Sequence, residues 1–140
     1  RLVQGCPRPI LAVPRAFPRL DKLLLAYDGS AKADEALYVA VYLAGKWKLP
    51  LSVLIVLDGE RFPKRAAARA RWYLSSHKII GDIHFRHGPV AKTIMQTAAE
   101  ANTELIIMGG YSRPPVLDMM VGSSVNQILR SATCPILICR

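Results

Sequence analysis

No stretch of the 140 residues carries an uninterrupted apolar run of the roughly 18 residues that a helical membrane span requires. The chain is read as soluble, with no membrane partner. Cysteine is scarce, and Cys6, Cys134 and Cys139 form an odd set without a C-x-x-C pair or a Cys/His metal spacing. Reduced thiols in the cytoplasm are therefore expected, with neither a disulfide framework nor a structural metal. Acids are few: 10 carboxylates stand against 19 lysines and arginines, a net charge of +9. An anionic ligand or partner is attracted by such a balance, whatever its kind. Neither G-x-x-x-x-G-K-[ST] nor G-x-G-x-x-G occurs, so a P-loop and a dinucleotide-binding fingerprint are both excluded. Nothing pairs a nucleophile with a base, and His77, His84 and His87 show no metal-ligand pattern. Structural or solvated roles are assigned to them, and no enzyme activity beyond, at most, very slow ATP hydrolysis is expected.

What the chain does contain is an alternation of apolar strand-like runs with helix-like runs, at a length suited to one domain. Strands are expected at Lys22 to Tyr27, Pro50 to Leu57, Ile80 to Arg86, Leu105 to Met108 and Ile136 to Cys139. Helices are expected from Asp34 and Glu35 to about Ala44, from Lys64 to about His77, from Pro89 at a first helical position to about Ala101, and from Ser123 to about Ser131. Met108, Met119 and Met120 read as core filler. The fold class is α/β, an open five-stranded parallel sheet with helices on both faces, Rossmann-like.

Such sheets bind ligands beyond the carboxyl ends of their strands. Two loops stand out there, Asp28-Gly29-Ser30 after the first strand and Gly109-Gly110-Tyr111-Ser112 after the fourth. The helix that follows Gly122-Ser123-Ser124 offers free N–H groups and a partial positive charge, which suit a phosphate. Each piece also has a plain structural reading, as a turn, a bend and a cap. The basic run Arg61, Lys64, Arg65, Arg69 and Arg71 comes without an aromatic platform, so a solvated helix face is favoured over nucleic-acid binding.

Lys22-Leu-Leu-Leu-Ala-Tyr-Asp-Gly-Ser30 resembles the opening strand and loop of universal stress proteins, and Leu105-Ile-Ile-Met-Gly-Gly-Tyr-Ser-Arg113 resembles their fourth strand. ATP-binding members carry G-x-x-G, nine residues, then G-[ST]; here Gly109 and Ser112 are followed, after nine residues, by Gly122-Ser123. The resemblance runs from about Lys22 to Cys139 and implies an adenine nucleotide alpha hydrolase-like fold. It further implies a regulatory, stress-response domain that holds ATP or AMP, with Mg possible beside ATP. By the same resemblance Asp28 meets the ribose and the backbone of Val56 meets adenine. Gly109, Gly122, Ser123 and Ser124 line the phosphates, and Ala26, Met108, Gly110, Ser112, Arg113 and Val125 complete the site. Ser112 replaces the motif's second glycine, and a β-carbon there can strain the loop or crowd the phosphates. The alternative is a nucleotide-free dimerisation or interaction module.

Leu2 to Val13 and Leu129 to Cys139 share a pattern of helix end, Cys-Pro and strand. Residues 1–18 are accordingly read as the terminal strand of a preceding homologous domain plus a linker holding Pro14 and Pro18, with 19–140 the domain itself. The chain begins at Arg1, and an excised or processed piece is expected. Ile10 to Val13 is expected beside Ile136 to Cys139, in this chain or a second copy, and the piece is expected to dimerise through that last strand.

Overall fold

The structure, a computed structural model, describes residues 6–14, 16, 19–57, 59–60, 62–110 and 124–140. Among the described residues ten elements follow in order: β1 (Ile10–Ala12), β2 (Leu23–Ala26), α1 (Ala31–Trp47), β3 (Leu51–Leu57), α2 (Lys64–Ser76), β4 (Gly81–His87), α3 (Val90–Glu100), β5 (Leu105–Gly109), α4 (Ser124–Ser131) and β6 (Ile136–Cys139). Short, nearly continuous apolar runs become strands because the sheet is covered on both faces, which removes the polar alternation of a one-sided sheet. Along β2, Leu23 and Leu25 enter one core with α1 and α2, while Leu24 enters the other with α3 and α4. All three leucines are at most 2% exposed.

The strand order is β1-β6-β5-β2-β3-β4. Five strands run parallel as the sequence implies, and a sixth joins them. β1 pairs antiparallel with β6, placing Ile10 opposite Ile138, Leu11 opposite Leu137 and Ala12 opposite Ile136. The expected neighbourhood of these two segments is thus realised within one chain. An Arg140 Nη1–H donates to the Cys6 carbonyl at 2.8 Å and extends the contact past the strand ends. Among the described residues, no helix is long and apolar enough to cross a membrane.

Helix boundaries differ from the sequence reading where caps decide them. α1 begins at Ala31, because the Ser30 hydroxyl accepts the Ala33 N–H at 3.2 Å and satisfies a donor at the helix start. Pro89 precedes α3 as its cap, with ψ 129° and extended backbone, and so is not its first helical residue. α1 continues to Trp47 and stops at Lys48, which adopts φ 54°.

Cys139 carries a measurable consequence of burial. Enclosure, reinforced by the charge of Glu35, pushes its thiol up to about 11 from an ordinary value near 9.0. The unfolded chain releases this proton from about pH 9, whereas the folded chain keeps it until about pH 11. The thiol's stabilising contribution is therefore complete below pH 9 and is lost as pH rises through 11, at up to about 1.4 kcal/mol per pH unit. Urea midpoints are expected to fall across that window by on the order of 2 kcal/mol in stability, and less steeply in Cys139→Ala. Equal slopes in the two proteins would place the alkaline sensitivity elsewhere.

Candidate functional site at the carboxyl ends of β2 and β5

From β2 the chain builds outward through β3 to β4, then crosses to the other side of β2 for β5 and β6. The order therefore reverses between β2 and β5, the point beyond whose carboxyl ends sheets of this kind bind their ligands. Ala26 sits at this point, aligned with Met108 of β5 on one side and Leu54 of β3 on the other. Val56 lies two residues beyond Leu54, half-buried above the end of β2.

The loop after β2 is built locally. The Asp28 carboxylate accepts the Ser30 N–H at 2.9 Å, closing a turn. Gly29 between them has φ +79°, a conformation side chains rarely adopt. An added β-carbon there would stand 2.8 Å from the Ala66 β-carbon, so the loop rests directly against α2. Asp28 itself is exposed just beyond the end of β2.

A network missed by the sequence reading anchors this loop. The buried Tyr27 hydroxyl donates to Asp34 Oδ1 at 2.6 Å, and Arg69 of α2 pairs with the other oxygen of the same carboxylate. Burial and the Asp34 charge hold the Tyr27 phenol well above its usual range, so it stays a donor. Arg69 thus belongs to an ion pair and not only to a solvated basic face. No short-range pattern could reveal this, since 35 residues separate the partners.

The two glycines closing β5 have structural occupations. A β-carbon on Gly109 would fall 2.6 Å from the Lys32 carbonyl carbon and 2.7 Å from the Ala33 nitrogen. The first turn of α1 therefore passes directly over it. Gly110 donates its N–H to the Cys139 carbonyl at 2.6 Å and continues the β5–β6 pairing. Met108 and Val125 are core residues, 7% and 5% exposed, whose side chains pack within the α3–α4 layer. Ser124 opens α4 and is half-buried. Ser112, Arg113, Gly122 and Ser123 lie outside the described residues, as do Arg61, Met119 and Met120. Ala26, Asp28, Val56, Met108, Gly109 and Gly110 are thus gathered at adjoining strand ends. Among the described residues, no cluster of three or more His, Cys, Asp or Glu side chains could hold a metal ion.

Residues 19–140 match the universal stress protein family. The chain belongs to this family. It is 27% identical over 145 residues to Universal stress protein Slr1230 of Synechocystis, covering all of this chain and 50% of that protein. To Universal stress protein YxiE of Bacillus subtilis it is 26% identical over 146 residues, covering 86% of this chain and 99% of that one. A universal stress protein structure from Archaeoglobus fulgidus superposes with a TM-score of 0.82 at 24% identity, covering 94% of this chain and 49% of that chain. The universal stress protein domain here thus spans about half the length of two of these relatives and nearly all of the third. A universal stress protein solved in complex with cAMP shares the fold at a TM-score of 0.74 and 13% identity, covering 86% of this chain and 97% of that one. An Archaeoglobus fulgidus universal stress protein in complex with dAMP does so at 0.67 and 17%, covering 87% and 98%.

Proposed function

We propose that this domain binds an adenine nucleotide, ATP or AMP, beyond the carboxyl ends of β2 and β5, and serves a regulatory role in stress response. The observation that carries the reading is the reversal of strand order at that point, where Asp28 presents an exposed carboxylate on a rigid turn. Two proteins of this fold are described in complex with adenine nucleotides.

The donor set suits such a ligand. Asp28 would accept the ribose hydroxyls, the backbone near Val56 would meet the base, and Ser124 with the residues before it would meet the phosphates through N–H groups. Mg would accompany the phosphates of ATP and offset their charge. Gly109 and Gly110 support this arrangement by packing, which shifts the phosphate role toward Ser112, Gly122, Ser123 and Ser124. At most very slow ATP hydrolysis is expected, since the sequence offers no positioned base or arginine finger. We place the protein in the cytoplasm on its reduced thiols.

Calorimetric titration with ATP and AMP tests the proposal. Saturable binding is expected, weakened about tenfold or more in Asp28→Ala through loss of charge-assisted hydrogen bonds. No heat at millimolar nucleotide would count against it. The second reading, an empty interaction module, draws on Ser112 at the motif's second glycine position and on the packing occupations of Gly109 and Gly110. Under that reading Ser112→Gly creates or sharply strengthens binding; under the first it changes affinity little.

The family's partner domain is also part of this proposal. Residues 1–18 would be the end of a preceding homologous domain, and pairing with that domain or a second copy would run through β6. With β1 in place the β6 edge is already filled. A second copy can pair there only by exchanging or displacing β1.

A further inference from the structure

The outward face of α1 and α2 is unusually apolar for a surface. Tyr42 is 63% exposed, Trp72 66% and Ile80 96%. Tyr38, Tyr73 and His77 form the middle of the patch, with ring centroids 4.8 Å apart for the tyrosines and 4.2 Å for Tyr73 and His77. Two hollows flank it. One, of about 340 Å³, lies along the seam of the two helices and is lined by Tyr38, Tyr42, Lys46, Tyr73 and His77 among others. The other, of about 520 Å³, lies between α2 and the start of β4, beside Trp72, Ile80, Arg71 and Asp82. A contiguous apolar patch of this kind marks an interaction surface.

Charge selects the occupant. From Ala36 to Lys48 and from Lys64 to Ile80 every charged residue is basic. The seam hollow has no carboxylate in its lining, and Asp82 is the acid bordering the second. A two-fold contact with a second copy would set these cations against themselves. The central rings pack on one another at interplanar angles of 42° and 35°, so they do not form a free platform for stacked bases. The hollows are shallow and open, so they receive side-chain tips from a protein segment and do not enclose a small molecule. Exposed Trp, Tyr and Arg around such depressions are the residue types that dominate protein–protein binding energy.

We propose that this face docks an acidic segment of another protein, with an aromatic or aliphatic side chain seated in the seam hollow and carboxylates lying over Lys46, Arg71 and Lys78. The inference stands on this surface alone and does not depend on nucleotide binding.

A random copolymer of glutamate and tyrosine is the probe, with polyglutamate of equal length, oligothymidylate and phosphatidylserine vesicles as comparisons. Each is titrated calorimetrically into the full chain at about 0.15 M salt, where exposed charge alone is largely screened. The copolymer is expected to bind about tenfold or more tighter than polyglutamate. Both Trp72→Ala and Arg71→Glu are expected to weaken it by about tenfold. These side chains are exposed, and unchanged circular dichroism melting is the control that the variants fold. Tyr42→Ser, on the other helix, is a second variant with the same expected loss. Equal binding of polyglutamate, undiminished binding by all three variants, or tighter binding of oligothymidylate or vesicles would overturn the proposal.

Discussion

Gly109→Val is expected to unfold most of the protein at room temperature, with Gly109→Ala losing about 2–3 kcal/mol in urea titrations. Backbone conformation is not the reason, since Gly109 is absent from the glycines with positive φ. The reason is contact. The new β-carbon would meet the carbonyl carbon, carbonyl oxygen and following nitrogen of the Lys32–Ala33 peptide at 2.6–2.8 Å, and main chain cannot rotate aside as a side-chain tip can. Either α1 lifts from β5 or β5 shifts against β2, and each opens the core that holds Ala33, Ala36 and Ile107. Valine adds two γ-carbons to the same space, so a cost above about 4 kcal/mol is expected. Gly45→Ala is the contrast, because there the β-carbon meets the Ile79 side chain at 3.3 Å on an exposed helix face. A Gly109→Val protein melting within a few degrees of the parent would show that α1 can yield. The measurement is made without nucleotide, so that it reports packing and not ligand loss.

Removing residues 1–18 is expected to raise the mass measured by light scattering, as copies associate through the uncovered β6 edge. β1 is the element that covers β6, whose four residues Ile136 to Cys139 carry no charge. A bare, apolar edge with unpaired N–H and C=O groups is a template for another chain. The truncated protein is also expected to be less stable, since Ile10 and Ala12 no longer shield the β6 backbone. Unchanged mass together with unchanged stability would leave β1 without this protective role.

The inner strands were legible to within a residue because burial on both faces writes itself as short apolar runs such as Leu23-Leu24-Leu25 and Leu105-Ile106-Ile107, whereas edge strand β4 shows as the alternation of Ile83 and Phe85 with polar residues. Helix ends were less so. Chain reversal here uses Lys48, Lys78 and Asn102 at φ 54°, 55° and 50°, where glycine is the usual signal. Two lysines in left-handed backbone leave no mark in a sequence, and α1 accordingly runs past the expected end at Ala44 to Trp47. At the candidate site, Asp28 and the glycines of β5 were found by position after strands. What Gly109 and Gly29 touch was not, because Lys32 and Ala66 meet them through tertiary approach. The Tyr27–Asp34–Arg69 network was hidden for the same reason, joining a strand to the helix after next.

β1 is only three residues long, and its central Leu11 is 55% exposed. Such a segment opens by local fluctuation at far lower free energy than the sheet's interior. Amide exchange on β6 should therefore divide by direction: N–H groups facing β1 exchange with the fraying of three residues, while those facing β5 wait for unfolding of the domain. The edge is guarded intermittently, and in each brief opening β6 stands ready to receive a strand from another source while the rest of the protein remains folded.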